Sequence, residues 1–248
     1  MPINTNRTPG HGVLGSPVLA VVFAAGGLVL SLVATFAVTS PANASEPCAE
    51  RLAATIQSHY ESVDDFSANF EQTTQSVMLG KTSLGADAPS SGFVQFAKPG
   101  KMRWRYETPT QSLVISDGKI LWIYDVTAKE AQRLPVTEGY LTGAALEFLL
   151  GEGKILDEFN VVASSCVPDA QDAVELRLTP KQPASFESLG LRAKLATGEI
   201  LATSLVDLFG NRTFISFSNI RINLHPKAST FRFEVPSDVR VIDLTPAH

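Results

Sequence analysis

The chain has 248 residues, 44% of them hydrophobic and 18% charged, a composition of the globular range that excludes a disordered or collagen-like chain. Its 25 acidic against 20 basic side chains lack the basic footprint of a general nucleic-acid binder. The 15 prolines and 17 glycines, spread along the whole length, exclude a long coiled coil.

Residues 1–44 contain no acid and one strong base, Arg7. Val18 to Val38 is an apolar run interrupted only by small residues such as Gly26, Gly27, Ser31 and Thr35, and Pro41-Ala42-Asn43-Ala44 follows. Small residues one and three places before a cut suit signal peptidase, so the pattern predicts an export signal, residues 1–44, removed after Ala44. The run is also long enough to span a bilayer, which leaves an uncleaved anchor as the alternative. Cys48 follows Ser45-Glu46-Pro47, a poor lipidation context. Residues 45–248 then form one exported domain, with the bacterial periplasm as the expected compartment. Both cysteines, Cys48 and Cys166, lie in that domain. An oxidising compartment makes a bridge between them the expectation, with two separate buried thiols as the alternative. In the chain-entropy account such a long loop stabilises by about 4–5 kcal/mol.

Ser45 to Val63 reads as a helix, since Leu52, Ile56 and Tyr60 recur every four residues beside Ala49, Ala53 and Val63. At Asp65 the period changes to two: Phe66, Ala68 and Phe70 face one way and Ser67, Asn69 and Glu71 the other. Gly80 to Ser90 reads as a loop, Gly92 to Ala97 as a strand, and Lys98-Pro99-Gly100 as a turn. Lys101 to Glu107 is a strand with Met102, Trp104 and Tyr106 inward. Gln111 to Ser116 and Lys119 to Asp125 flank Asp117-Gly118 as a hairpin, with Ile120, Trp122 and Tyr124 on one face. Tyr140 to Leu150 returns to helical spacing, Leu146 and Leu149 belonging to its apolar stripe. The C-terminal half alternates again through Leu176, Leu191 and Ile215, and Phe231, Phe233 and Val235 read as a last strand stopped by Pro236. About eleven strands with short connections and two or three helices add up to one strongly curved antiparallel sheet with helices on one side.

Local chemistry is sparse. His59, His225 and His248 are scattered without ligand spacing, and neither a metal motif, a nucleophile elbow nor a phosphate loop occurs. No catalytic set, metal or cofactor is expected from the residues. Asp64-Asp65 reads as a helix-to-strand connection. The remaining signal is apolar: Phe70, Met102, Trp104, Tyr106, Trp122 and Tyr124 on strands, Ile56 and Tyr60 on the first helix, Leu146 and Leu149 on the second. Either the helices fill the concavity as a dry core or they cover it and leave space for an apolar ligand, and periodicity does not choose.

The order of motifs adds information. Phe66-Ser67-Ala68-Asn69-Phe70-Glu71-Gln72, then Lys98-Pro99-Gly100-Lys101-Met102-Arg103-Trp104, then Ser116-Asp117-Gly118-Lys119-Ile120-Leu121-Trp122-Ile123-Tyr124, resembles the outer-membrane lipoprotein carrier protein family (LolA). The Asp207 to Asn211 turn and Phe231-Arg232-Phe233-Glu234-Val235-Pro236 are similar to that family's second half. The resemblance, running from about Cys48 to Asp243, implies an incomplete, unclosed antiparallel β-barrel with a helical lid over a hydrophobic cavity. The ten apolar side chains named above would line it. It also implies a monomeric shuttle that takes acylated lipoproteins from an inner-membrane ABC transporter to an outer-membrane acceptor. By position, Lys98 corresponds to the basic residue that latches the lid through backbone carbonyls; many members carry Arg there, a planar five-donor fork where Lys is a rotatable point charge. Two other readings remain: an exported lipid or lipoprotein sensor on the same half-barrel, and a periplasmic lipid hydrolase with a Ser-His-Asp set built around His59. The intact mass of protein recovered from the periplasm should correspond to a chain beginning at Ser45; a mass that includes Val18 to Val38 would identify an anchor instead.

Overall fold

The computed structural model describes residues 46–77, 88–136 and 153–244. The expected signal segment, most of the Gly80 to Ser90 loop and the expected helix Tyr140 to Leu150, with Leu146 and Leu149, lie outside the described residues. Helix α1 covers Glu46–Glu61, two residues short of the expected Val63. Ala49, Leu52, Ala53, Ile56 and Tyr60 form its buried face, none more than 2% exposed. Beyond the helix, the Ser62 and Val63 amides donate to His59 O and Tyr60 O.

Two meanders make the sheet. The first runs through β1 (Asp65–Gln75), β2 (Ser90–Ala97), β3 (Lys101–Thr108), β4 (Ser112–Asp117), β5 (Ile120–Asp125) and β6 (Glu130–Pro135). After a single helical turn, α2 (Ile155–Glu158), the second runs through β7 (Phe159–Ala163), β8 (Ala173–Pro180), β9 (Phe186–Lys194), β10 (Ile200–Asp207) and β11 (Arg212–Ile222). β1 pairs with β2 on one side and with β11 on the other, which joins the meanders. A 3-10 turn, Ala228–Phe231, and β12 (Arg240–Asp243) beside β6 follow. The order β12-β6-β5-β4-β3-β2-β1-β11-β10-β9-β8-β7 leaves β12 and β7 as the two edges, so among the described residues the sheet is not closed. Alternation fixes its faces: Phe66, Ala68 and Phe70 on β1, Met102 and Trp104 on β3, and Val174, Leu176 and Leu178 on β8 all turn into one core cluster.

Three details differ from the sequence reading. There are twelve strands among the described residues, and β6, β7 and β12 are the ones without a clear sequence signal. In β6 each face carries a single buried apolar residue, Ala131 or Leu134, so no alternation is visible. The expected strand Phe231 to Val235 is not a strand. Phe231 ends the 3-10 turn, and Phe233 packs on Trp122 at 5.2 Å and on Tyr124 at 5.3 Å. Its period of two therefore reflects an extended segment laid over a sheet face. Finally, β12 pairs with β6 in parallel, the one exception to an otherwise antiparallel sheet among the described residues.

Helix α1 packs across β7 and α2. Cys48 in its first turn is joined to Cys166, beyond β7, by a disulfide that spans 118 residues, with Cα atoms 6.2 Å apart. Just past the middle of the helix, at Thr55 and Ile56, the β9–β10 turn lies directly on its backbone. Gly198 there has φ +76°, and a Cβ would stand 2.7 Å from Thr55 O and 2.8 Å from Ile56 Cα. Neither contact atom is a flexible side chain, so the helix or the turn would have to move. Gly198→Ala should cost about 2–5 kcal/mol, combining a strained backbone with a forced shift of α1. Urea unfolding of the variant checks this, and an unchanged midpoint would show that the turn gives way freely.

Candidate functional site

The concave face is continuous because each strand register hands its inward residues to the next. Phe70 stands opposite Gly92 and Phe66 opposite Phe96 between β1 and β2. Phe96 pairs with Met102 and Val94 with Trp104, and Trp104 in turn pairs with Val114. Val114 lies opposite Ile123, and Leu121 opposite Leu134. On the other side of β1, Phe70 faces Phe217, whose ring meets that of Phe66 edge-on at 5.7 Å.

The centre of this face is aromatic. The Phe70 ring meets Trp104 at 4.7 Å and Tyr106 at 5.0 Å, both edge-to-face, and Phe96 meets Trp104 at 5.7 Å. These are the arrangements favoured by ring quadrupoles, each contributing about 0.5–1.5 kcal/mol beyond burial. Gly92 supports the packing: a Cβ there would collide with Arg105 O at 1.9 Å and stand 3.1 Å from the Phe70 ring. Burial is graded along the face. Met102 and Trp104 are about 5% exposed, whereas Tyr106, Val114 and Ile123 are half-buried. Polarity enters at the same end, where Tyr106 Oη donates to Gln72 Oε1 at 3.0 Å. Burial pushes the Tyr106 phenol up, so it stays un-ionised as a neutral lining group.

Ile56 and Tyr60 bring α1 into the same apolar cluster as Phe70, Met102 and Trp104. Tyr60 is 2% exposed and its Oη accepts the Ile200 amide at 3.2 Å. Burial pushes this phenol far above its usual range. Lys98, in the β2–β3 turn, donates from Nζ to the Tyr60 carbonyl at 2.6 Å. That carbonyl, which also accepts the Val63 amide, belongs to the last turn of α1, where the helix dipole favours a cation. The Lys98 amide donates to Asp64 O at 2.9 Å, so side chain and backbone of one residue hold both ends of the α1–β1 connection.

Trp122 and Tyr124 are not on this face. Ser116 pairs with Leu121 and Val114 with Ile123, so odd-numbered residues of β5 continue the concave surface. The hairpin has two loop residues, which reverses numbering parity between its arms, and the bulk of the two aromatics gives no warning of it. They lie on the opposite face under Phe233, with the Arg133 guanidinium 6.0 Å from the Trp122 ring. Val114, Leu121, Ile123 and Leu134 take the places that these two side chains were expected to fill. Following the register outward from Trp104 would have found them. His59 is half-buried, its imidazole is pushed down by desolvation, and among the described residues that ring bonds to no Ser, Asp or Glu side chain.

A family model for "Outer membrane lipoprotein carrier protein LolA" matches residues 61–234. The chain belongs to the LolA family. A protein of Chromohalobacter salexigens named outer-membrane lipoprotein carrier protein is 34% identical over 214 residues, which cover 86% of this chain and 95% of the relative. One of the same name from Cupriavidus taiwanensis is 33% identical over 211 residues, covering 84% and 93%. Among solved structures, an uncharacterised conserved protein of Thermus thermophilus shares the fold at 10% identity, with a TM-score of 0.50 over 79% of this chain and 98% of that one. Within the LolA fold of this chain, the Lys98 contact is the link that a single substitution isolates. Lys98→Met keeps the apolar stem and removes the donor, so it should cost about 1–3 kcal/mol and speed amide exchange in the last turn of α1. Hydrogen exchange combined with urea unfolding reads both, and unaltered exchange there would reduce Lys98 to a surface residue.

Proposed function

We propose that this LolA-family chain is a periplasmic carrier that holds the acyl chains of lipoproteins against its concave face. It receives them from an inner-membrane ABC transporter and passes them to an outer-membrane acceptor, working as a monomer from which residues 1–44 have been removed. The observation that carries the reading is the extended apolar face from Leu134 to Phe217, deeply buried at Trp104 and half-buried at Tyr106, Val114 and Ile123. Bulk and flexibility suffice to recognise an alkyl chain, and Met102 beside an aromatic cluster offers both. Leu146 and Leu149 complete the proposed lining, and the Lys98 contact to α1 acts as the latch of the cover.

Energetics favour a carrier that exchanges over one that merely binds. Each methylene moved from water to an apolar site gains about 0.8 kcal/mol, so three chains of roughly 15 carbons would release on the order of 35 kcal/mol. Non-covalent affinity saturates near about 20 kcal/mol, and a complex of that strength would not dissociate on a useful timescale. Cargo must therefore pass between apolar hosts without crossing water. A concave face with one graded, half-buried end suits such a transfer, and no bond-making step is required.

Protein freed of lipid should take up a triacylated lipoprotein and leave its unacylated form in solution. Replacing Trp104 by Asp should abolish uptake, with circular dichroism to confirm that the fold survives. Equal binding of acylated and unacylated forms would refute the carrier reading.

A further inference from the structure

At the rim opposite Lys98, the β10–β11 connection ends in an apex, Leu208-Phe209-Gly210, that the carrier reading does not use. Phe209 is 85% exposed and Leu208 65%. Val77 joins them at 60%: its Cγ2 lies 3.2 Å from where a Gly210 Cβ would stand. Phe214, 46% exposed, follows on the convex face of β11. Scattered exposed apolar residues are ordinary, but two bulky ones side by side on one turn are not.

The turn beneath them is rigid, and its polar groups point inward. Asp207 Oδ1 accepts the amides of Phe209 at 2.8 Å and Asn211 at 2.9 Å, and Asp207 O accepts the Gly210 amide at 3.0 Å. Asn211 donates from Nδ2 to Asp207 Oδ2 at 2.7 Å and accepts the Val77 amide at 3.1 Å. The amides that a tight turn normally shows to water are thus satisfied from within, so the apex can leave water with few backbone donors stranded. Its shape is convex. A protein partner would have to supply a matching pocket, whereas the interface of a bilayer admits any apolar projection. Arg212, exposed at the base and in no ion pair among the described residues, stands where a lipid phosphate would be met.

We propose that the Leu208-Phe209 apex is a membrane-contacting point that enters the interface of a phospholipid bilayer. Strand directions make the placement consequential. The C-terminal ends of β1, β3 and β5 and the start of β11 share this rim, so Gln72, Tyr106 and Ser112 lie toward the membrane when the apex touches it. The half-buried end of the concave face then turns to the lipid, while the α1 latch at Lys98 stays on the far side. Two side chains give weak, reversible attachment, as a molecule that must leave again requires.

The test uses vesicles of phosphatidylethanolamine and phosphatidylglycerol with exported protein purified without detergent. Emission of Phe209→Trp should shift to the blue on adding vesicles and be quenched by brominated lipid. The double variant Leu208→Ser, Phe209→Ser should lower the vesicle-bound fraction about tenfold or more while keeping the thermal midpoint. Unshifted, unquenched emission from Phe209→Trp, or equal flotation of wild type and double variant, would overturn the proposal. So would concentration-dependent self-association that the double variant abolishes, since the apex would then belong to a second copy. Uptake of an acylated peptide in the absence of vesicles reads the carrier function separately, and either result can fail without the other.

Discussion

The double pairing of β1 is the constraint on which the rest of the molecule depends. Because β1 bonds to β2 on one side and β11 on the other, two local meanders become one curved surface, with Phe66 and Phe70 at its centre and Phe96 and Phe217 on either side. The same strand anchors what crosses the surface. Asp65 at its start is 5% exposed and accepts the Leu224 and His225 amides at 2.8 Å, which turns the chain after β11 toward the convex side. Asp64, just before it, accepts the Lys98 amide and donates its own amide to Asn223 Oδ1 at 2.7 Å. Helix, sheet centre and C-terminal segment are thus tied within the six residues from Tyr60 to Asp65. A buried carboxylate satisfied by backbone amides is stable in such a place, because its desolvation is offset by directed donors.

Most of the architecture was readable where burial is one-sided. In α1 the spacing of Leu52, Ile56 and Tyr60, and in β3 the alternation of Met102 and Trp104 with Arg103 and Arg105, translate directly into faces, because only one side of each element is apolar. Legibility failed where both sides are. In β5, Leu121 and Ile123 meet the concave core while Trp122 and Tyr124 meet Phe233, so composition alone does not say which set is inward. It failed again at Glu130–Pro135, held as a strand by its hairpin pairing with β5, and at Arg240–Asp243, held by long-range pairing with β6, since local propensity marks neither. The Phe231 to Val235 segment shows the converse error, a clean period of two without a ladder.

The candidate site divides along the same line. Phe70, Met102, Trp104 and Tyr106 could be read from the strands that carry them, and Ile56 and Tyr60 from their helix. The position of Lys98 came from resemblance; no spacing predicts that its ammonium meets a helix-terminal carbonyl 38 residues earlier in the chain. Leu208 and Phe209 carry no such signal, because a turn cluster of Asp, Gly and Asn reads as punctuation. Only the solvent exposure of the two side chains, a property of the folded surface, separates a working projection from a plain bend.

The C-terminal segment gives the half-barrel a second apolar layer on its convex side. Phe231 is buried against β3 and β4, Phe233 covers Trp122 and Tyr124, and Arg103 donates to Thr230 O at 3.0 Å. Strands β3 to β5 are therefore backed along their convex side, which stiffens them against bending. On the proposed carrier reading, differences in guest bulk are absorbed at the half-buried Tyr106 end and by α1, with the backed wall as a fixed template.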